Sequence, residues 1–75
     1  MKKEIQKHFE SDPNYYRLHL VEEILGLDDC KIYANVPDDA IYSVVIADEV
    51  QIIDLSNAEW EDDYDLADLI YDRLK

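Results

Sequence analysis

The spacing of apolar positions changes twice along this chain, and each change marks a new kind of element. Ile5 and Phe9 stand four apart, so they share a face of a first helix over about residues 2–10. Ser11-Asp12-Pro13 then interrupts the pattern. Asp12 suits an N-cap, and Pro13 suits the first helical position, where its missing N–H costs nothing. Tyr15, Leu18, Val21, Ile24 and Leu25 follow at helical spacing and predict a second helix from Pro13 to Leu25. Gly26 supplies the left-handed residue that ends such a helix, and Leu27 is placed to fold back onto its last turn.

Beyond Asp28-Asp29 the pattern shortens. Lys31–Val36, Ile41–Ala47 and Val50–Leu55 are brief, rich in β-branched residues and Tyr, and bounded by acidic turns, which predicts three strands. Pro37-Asp38-Asp39-Ala40 reads as the first hairpin loop and Asp48-Glu49 as the second. The connections are too short for parallel crossovers, so the expected sheet is a three-stranded antiparallel meander. With a two-residue second loop, Val45 faces Ile52 and Val44 faces Ile53. One sheet face then gathers Ile32, Ala34, Val36, Ile41, Val45, Val50 and Ile52, and the other Tyr33, Tyr42, Val44, Ile46, Ile53 and Leu55. Both faces are apolar, whereas a sheet with one wet face alternates more cleanly. Either helices cover parts of both, or one face meets a second chain, which leaves a homodimer open.

The period then returns to that of a helix. Ser56-Asn57-Ala58-Glu59 has the form of a capping box, with Leu55 and Trp60 placed to staple across it. The helix is expected to run to Leu74 with Trp60, Tyr64, Ala67, Tyr71 and Leu74 turned inward, widened by Leu66, Leu69 and Ile70. The whole is one α+β domain over residues 1–75, in the order ααβββα.

Charge changes the picture more than composition does. Asp and Glu number 19 against 7 Lys and Arg, a formal net charge of −12 on 75 residues. Residues 1–21 hold four basic and three acidic side chains, and residues 22–75 hold three basic and sixteen acidic. Solubility needs a net charge of only about 2–8 on a small domain, and a larger one adds self-repulsion to the folded state. Such a surface repels nucleic acid and anionic membranes, so the expected partner is a positively charged protein surface, with no direct nucleic acid and no membrane. Hydrophobic residues make up 48% of the chain, too many for a disordered acidic tail. Met1-Lys2-Lys3-Glu4 is not followed by the apolar stretch of a secretory leader, and the single Cys30 has no internal disulfide partner, so a cytoplasmic location is expected.

The acidic residues are densest on the last predicted helix. Glu61, Asp65, Asp68 and Asp72 are spaced 4, 3 and 4, a single line along one face, with Asp62 and Asp63 thickening its near end. Successive carboxylates on such a line stand roughly 5–6 Å apart along the axis, comparable with successive phosphates along a nucleic-acid strand. Charge runs are ordinarily solvated helix faces. Here, however, few Lys residues stand at i, i+4, Asp is used where Glu makes the better helix, and Asp72 lies at the end where the helix dipole disfavours an anion. Tyr and Trp are enriched where proteins bind one another. Tyr16, Tyr33 and Tyr42 are expected to be exposed, and the hairpin carboxylates Asp38 and Asp39 to reach flanking basic residues.

The patterns of catalysis and cofactor binding are missing. The only Gly is the helix cap, so there is no phosphate cradle, and no calcium-loop pattern accompanies the Asp cluster. Cys30 has no His-Asp or His-Asn companions in the arrangement a nucleophile needs, and a domain this small has little room for a catalytic pocket. A non-enzyme without metal or cofactor is expected.

In size, charge and mix of elements, with Glu61-Asp62-Asp63-Tyr64-Asp65 a typical stretch, the chain resembles the small acidic phage-encoded inhibitors that mimic nucleic acid, especially anti-CRISPR proteins. Several of those are single α/β domains that occupy the DNA-binding or PAM-reading surface of a CRISPR effector. The resemblance implies a protein inhibitor acting in the host cytoplasm on a nuclease or CRISPR effector. An acidic antitoxin or immunity protein bound to a basic toxin is the alternative, since electrostatics alone does not separate the two.

Overall fold

The structure, a computed structural model, describes residues 2–75, with side chains from residue 4 onward. Its elements run α1 (Lys2–Ser11), β1 (Tyr15–Arg17), α2 (His19–Leu25), β2 (Cys30–Asn35), β3 (Asp38–Ile46), β4 (Glu49–Asp54) and α3 (Asp63–Arg73). The class is α+β, but the sheet has four strands rather than three, all antiparallel, in the order β1-β2-β3-β4.

The additional strand comes from the first half of the expected second helix. Asp12-Pro13 opens a turn instead of capping a helix. The Tyr15 N–H donates to the Asp12 carbonyl at 3.2 Å, and the Asn14 N–H donates to Asp12 Oδ1 at 2.9 Å. Pro is equally at home at the second position of a turn and at the first of a helix, because both fix φ near −65°. Tyr15, Tyr16 and Arg17 then pair with Asn35, Ala34 and Tyr33. The pairing is extended by Val36 N–H to the Asn14 carbonyl at 2.7 Å and Leu18 N–H to the Ile32 carbonyl at 2.9 Å. Only seven residues remain helical in α2, closed as expected by Gly26 at φ 65°.

Glu22 explains how so short a strand is held. Its carboxylate accepts Arg17 Nη2 at 2.8 Å and Nε at 3.1 Å, and Oε2 also takes the Ile32 N–H at 3.1 Å. The side chain thus continues the ladder on β2 where β1 has ended.

One face of the sheet carries the main core. Cys30, Ile32 and Ala34 of β2, Tyr42 and Val44 of β3, and Ile53 with Leu55 beyond it meet Val21 of α2 and Leu66, Ala67 and Ile70 of α3. On the other face Phe9 of α1 stacks on Tyr33, ring centroids 4.7 Å apart, and meets Tyr15 edge-on. Val45 is buried beside them. Helices therefore cover parts of both faces, the first of the two arrangements the sequence left open. The expected division of residues needs correction: Ala34 pairs with Tyr42 and Ile32 with Val44, so β2 turns its apolar side chains to the face opposite the one assigned.

The β3–β4 register is shifted as well. Val45 pairs with Val50 and Ile46 with Glu49, so the two loop residues are Ala47-Asp48 rather than Asp48-Glu49. A shift of two leaves every side chain on its expected face. The first hairpin turns at Val36-Pro37, with Asp38 and Asp39 already in β3, and Asp39, Ala40 and Ile41 stand opposite none in β2 at the Ala34/Asn35 irregularity.

Ala47 and Asp48 both have positive φ, 50° and 71°, as a type I′ turn requires. Neither is Gly or Asn, and the left-handed conformation costs an L-residue roughly 1 kcal/mol. The double change Ala47→Asn/Asp48→Gly should therefore stabilise the fold by about 1 kcal/mol, raising the thermal midpoint by about 4–8 °C. Melting followed by circular dichroism measures this, and an unchanged or lower midpoint would contradict it.

Candidate partner-binding surface

The capping box foreseen at Ser56 is not formed. Asp54 Oδ1 takes the Ser56 N–H at 2.9 Å, and Ala58 N–H returns to the Leu55 carbonyl at 3.0 Å, so residues 55–58 form a turn. The helix begins six residues later than expected, its cap at position 62 rather than 56. Asp62, in extended backbone, is its N-cap and accepts the Asp65 N–H at 2.9 Å. Asp65 Oδ2 in turn takes the Glu61 N–H at 3.4 Å. One carboxylate thus serves an orphan donor of this helix start and the other the N–H just before its cap, both at the end where the dipole favours them.

The inward stripe is also rotated from the expected one. Leu66, Ala67 and Ile70 are buried, with Leu69 and Leu74 partly so. Tyr64 and Tyr71 are 67% and 59% exposed. The outer face of α3 therefore presents two phenols among the carboxylates of Asp65, Asp68 and Asp72. Glu61 precedes the helix, so it leads into that line rather than forming part of it.

All six acidic residues singled out between positions 61 and 72 are exposed: Glu61, Asp62, Asp63, Asp65, Asp68 and Asp72. Among the described side chains, no Lys or Arg lies within ion-pair distance of any of them. Three of the five cations with described side chains are engaged elsewhere. Arg17 holds Glu22, Lys31 Nζ donates to Gln6 Oε1, and Arg73 Nη1 donates to the Asp54 carbonyl at 2.9 Å. Asp63, Asp68 and Asp72 accept no hydrogen bond from the described residues.

The structure adds Trp60 and Glu59, which the sequence reading had not placed here. An open depression of about 640 Å³ is lined by Ala58, Glu59, Trp60, Glu61 and Asp65. The half-buried Trp60 ring meets Tyr42 edge-on at 6.3 Å. An indole face beside three carboxylates suits a guanidinium or ammonium group, which gains both cation–π and charge-assisted hydrogen bonds there. The signal for it lay in Leu66, Leu69 and Ile70. Centring the apolar stripe on them frees Trp60 from the helix and turns Tyr64 and Tyr71 outward.

Tyr33 and Tyr42, expected to be exposed, are buried at 1% and 4%. Tyr33 lies under Phe9, and Tyr42 belongs to the main core. Tyr16 is exposed as expected. Burial, then the negative fields of Tyr16, Asp39 and Asp63, pushes the Tyr42 phenol up to about 12. Asp39 at the start of β3 and Asp63 at the start of α3 are thus brought near one buried ring. Asp38 is exposed, its Oδ1 turned back to the Ala40 N–H at 3.1 Å.

Cys30 is buried, and burial pushes its thiol up, so it stays protonated at neutral pH. No group of three or more His, Cys, Asp and Glu side chains converges as metal ligands would among the described residues. No described helix is long and apolar enough to cross a membrane. No protein family, characterised protein or solved structure matches the chain.

Proposed function

We propose that this chain is a non-enzymatic inhibitor that binds the basic nucleic-acid-binding surface of a nuclease or CRISPR effector, its carboxylates standing where phosphates would lie. One observation carries the reading. The six carboxylates from Glu61 to Asp72 face solvent without a cation of their own among the described side chains, while Arg17, Lys31 and Arg73 are engaged elsewhere. A domain built only for stability would pair them or dilute them with Lys. The exposed Tyr64 and Tyr71, and the Trp60 depression beside Glu59, Glu61 and Asp65, supply the aromatic contacts that Arg- and Lys-rich grooves accept.

The test is capture of host proteins by the tagged chain, followed by elution with salt and with duplex DNA. Bound basic residues must exchange their counterions, so affinity should fall steeply with ionic strength. A captured nucleic-acid enzyme that DNA displaces supports the reading. Reversing Glu61, Asp65, Asp68 and Asp72 together to Lys should abolish that capture, with single Asp→Ala changes mild. If the fourfold variant folds and still inhibits, α3 is not the site. A partner that survives high salt and ignores DNA would instead mark a dedicated subunit of the antitoxin or immunity kind.

A further inference from the structure

The edges of the sheet are treated differently. β1 is three residues long, and Arg17 at its end is tied to Glu22. β4 is six residues long and is the last strand of the sheet. In a hairpin closed by the two-residue Ala47-Asp48 turn, Ile46 and Glu49 exchange both ladder bonds, and alternate residues of β4 do the same with β3. Leu55 N–H on the Ala40 carbonyl at 2.8 Å keeps this phase. Val50, Ile52 and Asp54 therefore turn their backbone groups away from the sheet. Arg73 occupies the Asp54 carbonyl. The N–H and C=O groups of Val50 and Ile52 have no partner among the described residues.

The side chains of these two residues are bare too. They lie on the sheet face that α1 covers only over Tyr33 and Val45, and they are 42% and 63% exposed. An open backbone edge with apolar side chains beside it is what an added strand needs. Its charges say which strand: Asp48 and Glu49 stand at one end and Asp54 at the other. Antiparallel pairing with a second copy centred on Ile52 would set Asp54 opposite Val50, one residue from that copy's Glu49. It would also join two chains of net charge −12. Like charges across strands are destabilising, so the edge is guarded against itself and open to a cation-flanked strand.

We infer that the outer edge of β4 is a strand-addition site for an extended protein segment with alternating apolar side chains and Lys or Arg at its ends. This goes beyond the acidic-helix reading and does not depend on it.

The probe is a synthetic seven-residue peptide alternating Val or Ile with Thr, with Lys at both ends, added to the ¹⁵N-labelled full chain. Saturable slowing of amide exchange by about tenfold or more at Val50 and Ile52 supports the site. It should vanish in Ile52→Pro, which removes an outward donor without taking a bond from the β3–β4 ladder. The pair Val50→Lys/Ile52→Lys, which keeps every backbone bond, should weaken the same peptide at least about tenfold. The fourfold Lys variant of α3 should bind it as before. Equal protection by a peptide with Glu at both ends overturns the proposal, as does no protection at millimolar peptide. So does loss of binding in the α3 variant, which would put the peptide on the helix. Protection that rises with protein concentration alone overturns it in favour of a second copy. Failure here with the acidic helix still capturing its enzyme removes this site and leaves the proposed function standing.

Discussion

Replacing Glu22 with alanine should cost the fold about 3 kcal/mol, more than any surface change in the chain. The carboxylate is 10% exposed and carries three hydrogen bonds, two from the Arg17 guanidinium and one from the Ile32 N–H. Its removal leaves a cation that is only 26% exposed without its counterion, together with a buried backbone donor without an acceptor. Each is expensive because water reaches neither group freely. The partial exposure of Arg17 keeps the cost near the lower end of the range for broken buried pairs. Glu22→Gln keeps the volume and one acceptor, and should lose roughly half as much. Urea unfolding measures both. A loss below about 0.5 kcal/mol for the alanine variant would mean that β1 is held by its main-chain bonds alone.

Ile70→Ala should cost a further large sum, about 3–4 kcal/mol. Ile70 is fully buried and joins α3 to the core that Val21, Ile32 and Leu55 also fill. Truncation removes three buried carbons and leaves a cavity between a helix and a sheet. Domains of this size are stabilised by only about 4–11 kcal/mol, and the net charge of −12 works against compactness. A substantial unfolded fraction near the growth temperature follows, and α3 should be the first element to lose protection in hydrogen exchange. Since α3 carries Asp65, Asp68 and Asp72, the same variant should lose partner binding without any change to a carboxylate. Unaltered α3 protection would show that the helix docks through Leu66 and Ala67 alone.

These two residues also show where the sequence was readable. Ile70 could be placed in the core region of a final helix because its period is local. Phe9, Val21 and Gly26 yielded to the same reasoning. Tyr15 to Arg17 did not, since Asp12-Pro13 is as good a turn as a helix start. What decides between them is Glu22, ten residues in sequence from the Ile32 N–H that it takes. No local spacing announces a side chain that substitutes for a strand.

The acidic residues of the candidate surface were legible as composition, and their exposure follows from it. The orientation of the rings was not. Trp60, Tyr64, Ala67, Tyr71 and Leu74 make a plausible inward stripe only if the helix starts at Ser56. Because the Asp62 cap delays it, Trp60 falls in a loop and the two Tyr residues turn to water. Tyr33 and Tyr42 were misplaced for a different reason. In a small two-faced sheet a phenol can be buried from either side, and alternation along β2 and β3 does not say how much of each face a helix will cover.

The order β1-β2-β3-β4 has a kinetic consequence. Every strand pairs with the one next to it in sequence, and the longest interruption within the sheet is the short segment that contains α2. Loop closure is cheap when partners are close along the chain. The sheet can therefore be assembled one hairpin at a time, outward from the β3–β4 turn, with no pairing left waiting for a distant segment.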